Sequence, residues 1–227
     1  MTSGADPGTV VAAQDPSPDA LVLASGSKWR RSLLTDAGII SVADPARIDE
    51  SAVTADDPVR LAGLRASAKA ADVAGRWPGR VVLGADQVVH LDGEPFGKPP
   101  SDEAWLRMLK RLRGRVHQLT TAVTLMWPEA GGGHVAESFA VHTAIRFRAD
   151  LEDAELEAYV ANGEARGCAG GYMVERSGAW LIEAVDGDWT NVVGLPVLAV
   201  IGRLRARGWR FGQAVPAGDS DGPQRDD

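Results

Sequence analysis

The chain has 227 residues, is 44% hydrophobic and 24% charged, and sets 24 Lys+Arg against 31 Asp+Glu for a formal net charge of −7. These proportions fit a globular core and exclude a disordered chain, a collagen-like repeat and a coiled coil. The acidic balance argues against a coat for a nucleic acid polymer or an anionic membrane, and the lone cysteine, Cys168, points to a reducing, cytoplasmic setting.

Residues 1–19 carry Asp6, Asp15 and Asp19 and no basic residue. With no cationic start and no apolar stretch, they do not read as a secretory signal. Residues 212–227 carry four aspartates and Arg225. Both stretches are rich in Pro, Gly, Ala and Asp, so solvated tails are expected at 1–19 and 212–227 around one domain, 20–211. The longest apolar run, 192–201, is interrupted by Gly194 and Pro196 and falls short of the ~20 residues that span a bilayer.

Within the body, residues 21–24 (Leu-Val-Leu-Ala) read as a buried strand entering a Ser-Gly-Ser turn. Residues 29–37 bring Trp29, Leu33, Leu34 and Ala37 to helical spacing, with Gly38 as the stop. Residues 58–74 predict a second helix with Leu61, Leu64, Ala68 and Ala71 on its apolar stripe. Residues 81–83 predict a buried strand with Asp86 at its end, and Ser101 caps a third helix. Runs 116–127 and 134–147 predict a long hairpin about a Gly-Gly-Gly turn. A helix over 151–160, a strand over 180–185 and a closing helix over 195–207 complete an α/β domain with a mixed sheet. In such sheets ligands sit at the carboxyl ends of strands, which puts the Ser25 turn and Asp86 at the site.

Three clusters carry candidate chemistry. The first is Ser25-Gly26-Ser27-Lys28-Trp29-Arg30-Arg31, where a helix N-terminus, two hydroxyls and cationic side chains offer donors to phosphate oxygens. The same residues also read as a plain serine cap with a solvated basic face. The glycine spacing matches neither a P-loop nor a dinucleotide fingerprint. The second cluster is acidic, Asp49-Glu50 and Asp86-Gln87, with Lys69 and Lys98 available to neutralise phosphate. Such carboxylates hold a divalent cation against phosphates or deprotonate water. The third is Cys168-Ala-Gly-Gly171-Tyr172 through Glu175, then Asn191 ahead of the last helix. Here glycines imply close backbone approach, Cys168 reads as a small buried filler, and Asn191 as a brace for the last helix. The four histidines lack metal-ligand spacing.

In this order the blocks closely resemble the Maf (septum formation inhibitor-like) family of nucleoside triphosphate pyrophosphatases. The likeness runs through Leu-Ala-Ser25-x-Ser27-x-x-Arg30-Arg31, Asp49-Glu50, Ala-x-Lys69-Ala, Gly-x-Asp86-x-Val and Gly97-Lys98-Pro99. It continues through Tyr159-x-x-x-Gly-Glu164, Cys-Ala-Gly-Gly-Tyr172 and Gly-Asp-x-x-Asn191-Val-Val-Gly-Leu-Pro196. The resemblance implies an elongated mixed sheet flanked by helices, two lobes about a central cleft as in ITPase-like folds, and often a homodimer. It implies hydrolysis of a nucleoside triphosphate to the monophosphate and pyrophosphate, dependent on Mg²⁺ or Mn²⁺. By resemblance Asp86 is the catalytic proton acceptor, and Glu50 and Asp86 attend the metal. Ser25, Ser27, Arg30, Lys69 and Lys98 cradle the phosphates.

Trp29, Gln87 and Glu175 resemble the branch acting on 7-methyl-GTP rather than the dTTP/UTP branch, which carries Arg, Thr and Gln there. Physical chemistry agrees, because N7-methylation makes guanine a flat cation that an indole attracts, and a carboxylate accepts from its N1–H and amino group. Lys28, Arg176 and Ser177 depart from the family pattern beside this pocket. The family's name also supports a different class of role, a division regulator acting through protein contacts, and a nucleotide-binding module without catalysis is a third. Retention of Glu50, Asp86, Lys69 and Lys98 favours the enzyme.

Overall fold

A computed structural model describes residues 20–211, and the stretches expected to be tails lie outside the described residues. The elements are β1 (Leu21–Leu23), α1 (Lys28–Asp36), β2 (Ser41–Ala43), α2 (Pro58–Ala74), β3 (Val82–Leu91), β4 (Glu94–Phe96) and α3 (Asp102–Leu112). They continue with β5 (Val116–Pro128), β6 (His134–Phe147), α4 (Asp153–Asn162), β7 (Ile182–Asp186), α5 (Trp189–Val193) and α6 (Val197–Ala206). One mixed sheet runs β2-β1-β3-β5-β6-β7, with β4 paired to β3. Strand β1 is parallel to both neighbours, and the remaining pairs are antiparallel. No helix among the described residues is long and apolar enough to cross a membrane.

The two largest buried clusters divide the sheet into lobes. Trp105, Leu109, Phe147, Leu156 and Leu181 bury one side of the molecule around α3 and α4. Leu21, Leu23, Leu34, Leu125 and Val200 bury the other around α1 and α6. The long strands feed both, β3 through Val89 and Ala85, β5 through Leu119 and Val123, and β6 through Ile145 and Phe139. These three strands therefore set one lobe against the other.

Three expectations are corrected. Asp86 does not end its strand. β1 pairs with β3 only at Val82 and Leu83, whereas β5 pairs along β3 from Val82 to His90, so β3 runs on past Asp86. Next, the apolar stripe of α2 is rotated. Leu64 is exposed, and the buried face is Ala62, Ala66, Ala70 and Val73, because the helix lies too close to the sheet for leucine. Finally, Asn191 braces the sheet rather than the last helix. Its fully buried Nδ2 donates to Leu119 O, Val141 O and Thr143 Oγ1, while Thr190 Oγ1 accepts from Val197 N at the start of α6.

The lobe around α3 contains a buried histidine. His117 Nε2 lies 2.7 Å from the Tyr172 hydroxyl, and burial pulls its pKa from the usual 6.5 down to about 4. A group protonated more readily unfolded than folded removes stability as pH falls between those two values. The melting temperature is thus expected to drop by several degrees between pH 6.5 and pH 4. His117→Gln should flatten that part of the curve; an unchanged slope would show that other groups set the acid sensitivity.

Candidate active site

A cleft of about 680 Å³ opens between the lobes. Its floor is β3, and its walls come from the β1–α1 turn, α2, the loop after β4, the 167–175 segment and the end of α5. Every residue assigned from sequence lines it: Ser25, Ser27, Trp29, Arg30, Glu50, Lys69, Asp86, Gln87, Lys98 and Glu175.

At the β1–α1 turn, Ser27 caps α1 by accepting from Arg30 N at 3.4 Å, so the plain capping role holds. It does not use up the hydroxyls. Ser25 Oγ accepts from Ser27 N at 3.2 Å and from Arg30 Nη1 at 3.3 Å. Both serine hydrogens therefore remain to donate, beside the positive end of a nine-residue helix. Arg30 is fastened by Nε to Gly194 O at 3.0 Å and by Nη1 to Ala85 O at 2.8 Å. These acceptors are neutral, so its charge is not cancelled by a bonded carboxylate. Burial lowers the Arg30 pKa, with Asp86 and Glu50 acting in the opposite direction. The turn is an anion site by charge, dipole and donor count.

Across the cleft, Lys69 Nζ lies 2.7 Å from Asp86 and 2.9 Å from Glu50. Lys69 is 8% exposed, and the side chains of Asp86 and Glu50 are 14% and 51% exposed. Glycine makes the first contact possible. A Cβ at Gly84 would come within 2.3 Å of Ala66 O and 2.7 Å of Ala70 N, so only glycine lets α2 approach β3 this closely. Glu50 opens a short 3-10 turn, Glu50–Ala52, capped by Asp49. Asp49 thus serves as a cap and Glu50 as the carboxylate in the cleft.

The base-side residues have their own supports. Gln87 Nε2 donates to Asn191 O at 2.7 Å and Thr121 Oγ1 at 3.0 Å. Both amide hydrogens are used, which leaves Oε1 as an acceptor. The Arg176 guanidinium lies 5.4 Å from the Trp29 ring centroid. Glu175 is half-buried, and desolvation is the main cause raising its pKa, with Glu164 also raising it and Arg176 opposing. Its loop is pinned by residues whose motif gave no hint of this role. Tyr159 OH accepts from Met173 N at 3.1 Å, and Glu164 Oε1 accepts from Ser177 Oγ and Gly178 N. Cys168 is half-buried at the cleft wall rather than fully enclosed. Desolvation, first among its causes, raises its thiol pKa, which opposes nucleophilic use.

Comparison with known proteins follows the same lines. The family described as "Maf-like protein" matches residues 20–207. A dTTP/UTP pyrophosphatase of Symbiobacterium thermophilum is 40% identical over 191 residues, covering 83% of this chain and 94% of the relative. A nucleoside triphosphate pyrophosphatase of Corynebacterium efficiens is 38% identical over 184 residues, covering 79% and 90%. Among solved structures, a HAM1 protein from Coxiella burnetii is similar at 17% identity with a TM-score of 0.40, covering 59% of this chain and 75% of that one. A family match across both lobes of the cleft, with relatives this similar over most of their length, means that the chain belongs to the Maf-like protein family.

Proposed function

We propose that the cleft hydrolyses a nucleoside triphosphate to the monophosphate and pyrophosphate, and that 7-methyl-GTP is its favoured substrate. The hydrolytic reading is carried by one observation: a buried lysine held between two carboxylates, facing a turn of free hydroxyl donors in the same cleft. A water attacks the α-phosphorus and gives its proton to Asp86. The bond from that phosphorus to the bridging oxygen breaks, and its electron pair leaves with pyrophosphate. Lys69, held by two carboxylates, orients Asp86 in place of the phosphate contact the resemblance implies for it, while Ser25, Ser27, Arg30 and Lys98 bind the phosphoryl oxygens. Such transfers need mainly positioning and charge neutralisation.

The residues present fit a divalent cation such as Mg²⁺ or Mn²⁺. Two carboxylates converge on one ammonium, a hard-oxygen pair of the kind that holds Mg²⁺ together with substrate phosphates. No group of three or more His, Cys, Asp or Glu suited to a metal occurs among the described residues, so phosphate oxygens would complete its shell. Glu50 and Asp86 would hold the ion, which supplies charge neutralisation to the triphosphate.

The base reading rests on Trp29, Gln87 and Glu175. The Arg176 contact is an internal instance of a flat cation over the Trp29 indole. Glu175 and Gln87 Oε1 are both acceptors, which matches the donor edge of guanine, N1–H and amino group, better than the carbonyl-rich edge of uracil or thymine. A dTTP/UTP preference is the second reading, favoured by the name of the relative from Symbiobacterium thermophilum.

Pyrophosphate release from 7-methyl-GTP, GTP, dTTP, UTP and CTP with Mg²⁺ or Mn²⁺ separates these readings. Preference for 7-methyl-GTP is the expected result, and Trp29→Ala should lower its kcat/KM by about tenfold. Preference for dTTP or UTP would leave the enzyme and remove the base assignment. Release from none of the five would favour a division regulator or a binding module. Glu175 adds a pH signature. With its pKa raised by desolvation, it is protonated at a pH above the usual carboxylate range and then stops accepting from guanine. As pH falls, kcat/KM for guanine nucleotides should decline earlier than for dTTP, and Glu175→Gln should erase that difference. Parallel pH profiles for both bases would remove Glu175 from base recognition.

A further inference from the structure

α2 presents Pro58, Leu61, Ala62, Arg65 and Lys69 to the cleft. Arg65 stands one turn before Lys69 on the same face, about 6 Å along the helix axis. Unlike Lys69, it has no hydrogen bond or ion pair among the described residues, and its Nε is fully enclosed without a partner. Elsewhere in the molecule a partly buried arginine is matched. Arg76 bonds Asp44 and Asp72, and Arg30 bonds three oxygens. An enclosed guanidinium N–H without an acceptor carries a desolvation cost that an arriving anion removes.

The sheet says which part of a substrate this cation meets. Successive strand residues point to opposite faces. Asp86 therefore points towards α2, where Lys69 meets it, and Gln87 points towards α5, where Asn191 meets it. Trp29 belongs to α1, which packs against α5, and Arg176, the residue after Glu175, lies over its ring. Gln87 and Trp29 thus lie towards the α5 side of β3. Arg65, Lys69 and Glu50 lie on the α2 side, together with Asp86.

We infer that Arg65 binds the β- and γ-phosphoryl oxygens of the triphosphate and stabilises the departing pyrophosphate, an inference that rests on the pyrophosphatase reading. Its planar fork suits two phosphate oxygens at once. Lys69, already held by two carboxylates, does not duplicate that charge. In an alanine-rich helix Arg65 reads as an ordinary surface residue, and only its place in the cleft distinguishes it.

The test compares wild type, Arg65→Met, which keeps the apolar stem, and Arg65→Lys. The substrate is whichever triphosphate the wild type turns over fastest, and inorganic pyrophosphate and the matching monophosphate serve as inhibitors. Arg65→Met should lower kcat/KM by at least about tenfold and weaken pyrophosphate inhibition by about the same factor. Monophosphate inhibition should stay unchanged, and Arg65→Lys should recover part of the loss. Wild-type pyrophosphate inhibition in Arg65→Met overturns the inference while leaving the enzyme intact. Equal weakening of monophosphate also overturns it, because the change would then be structural. A wild type that cleaves no triphosphate overturns the pyrophosphatase reading itself.

Discussion

Asp86→Asn protein should release pyrophosphate about 10³-fold more slowly than wild type with every triphosphate, while melting within a few degrees of it. General-base catalysis contributes about 10²–10⁴-fold, and the amide cannot take the proton of the attacking water. The replacement keeps the shape and one acceptor oxygen, so Lys69 Nζ can donate to the new amide oxygen in place of the carboxylate and still has Glu50 at 2.9 Å. Steady-state pyrophosphate release measures the first part, and calorimetry the second. Residual activity within tenfold of wild type would move the proton acceptor elsewhere. Glu50 is then the nearest carboxylate, and its 51% exposed side chain makes it the weaker general base on position alone. A large fall in melting temperature would instead mark the Lys69–Asp86 pair as structural, since breaking a buried ion pair leaves an uncompensated charge.

Much of this site was legible in the chain because its chemistry is local. The Ser25–Arg31 segment carries its own cap, dipole and donors within seven residues, and a short apolar run before it marks the strand that aims it. The long hairpin was legible for a related reason, since period-2 runs on both sides of three glycines leave few alternatives. What stayed hidden depends on residues far apart in sequence. Nothing near Asn191 says that its amide is bonded to carbonyl oxygens of Leu119 on β5 and Val141 on β6. The α2 stripe misled because helical spacing identifies a face only when the larger residues are the buried ones. Here the sheet admits alanine and turns Leu64 outward, 43% exposed. Arg65 stayed hidden for the same reason, because rotating that helix turns an ordinary arginine into a wall of the cleft. Asp86 was recognisable as a carboxylate after a buried strand, but the length of β3 comes from its partner β5, which lies well downstream in the chain.

Gly84→Ala should damage stability and catalysis together, and the geometry of α2 gives the reason. The new methyl would sit 2.3 Å from Ala66 O, 2.7 Å from Ala70 N and 2.8 Å from Ala70 Cβ. Two of those three atoms are helix backbone, so no rotamer change relieves the overlap and the helix itself must withdraw. Overpacking of this kind costs about 1–3 kcal/mol, occasionally more, which at this chain length lowers the melting temperature by roughly 2–12 °C. The withdrawal also pulls Lys69 away from Asp86, whose 2.7 Å contact depends on the close approach. A misplacement near 1 Å in a catalytic arrangement costs about 10²-fold in rate. The fraction that stays folded well below the transition should therefore show kcat reduced by about that factor. Gly63→Ala is the matched control. It lies in the same helix, a Cβ there would meet nothing within 4 Å, and glycine inside a helix is worth about 0.5–1 kcal/mol less than alanine. That variant should melt at or above wild type and keep its rate. If Gly84→Ala instead melts within about 2 °C of wild type and turns over normally, α2 has room to spare against β3. The position of Lys69 would then be set by its two carboxylates rather than by the packing beneath it.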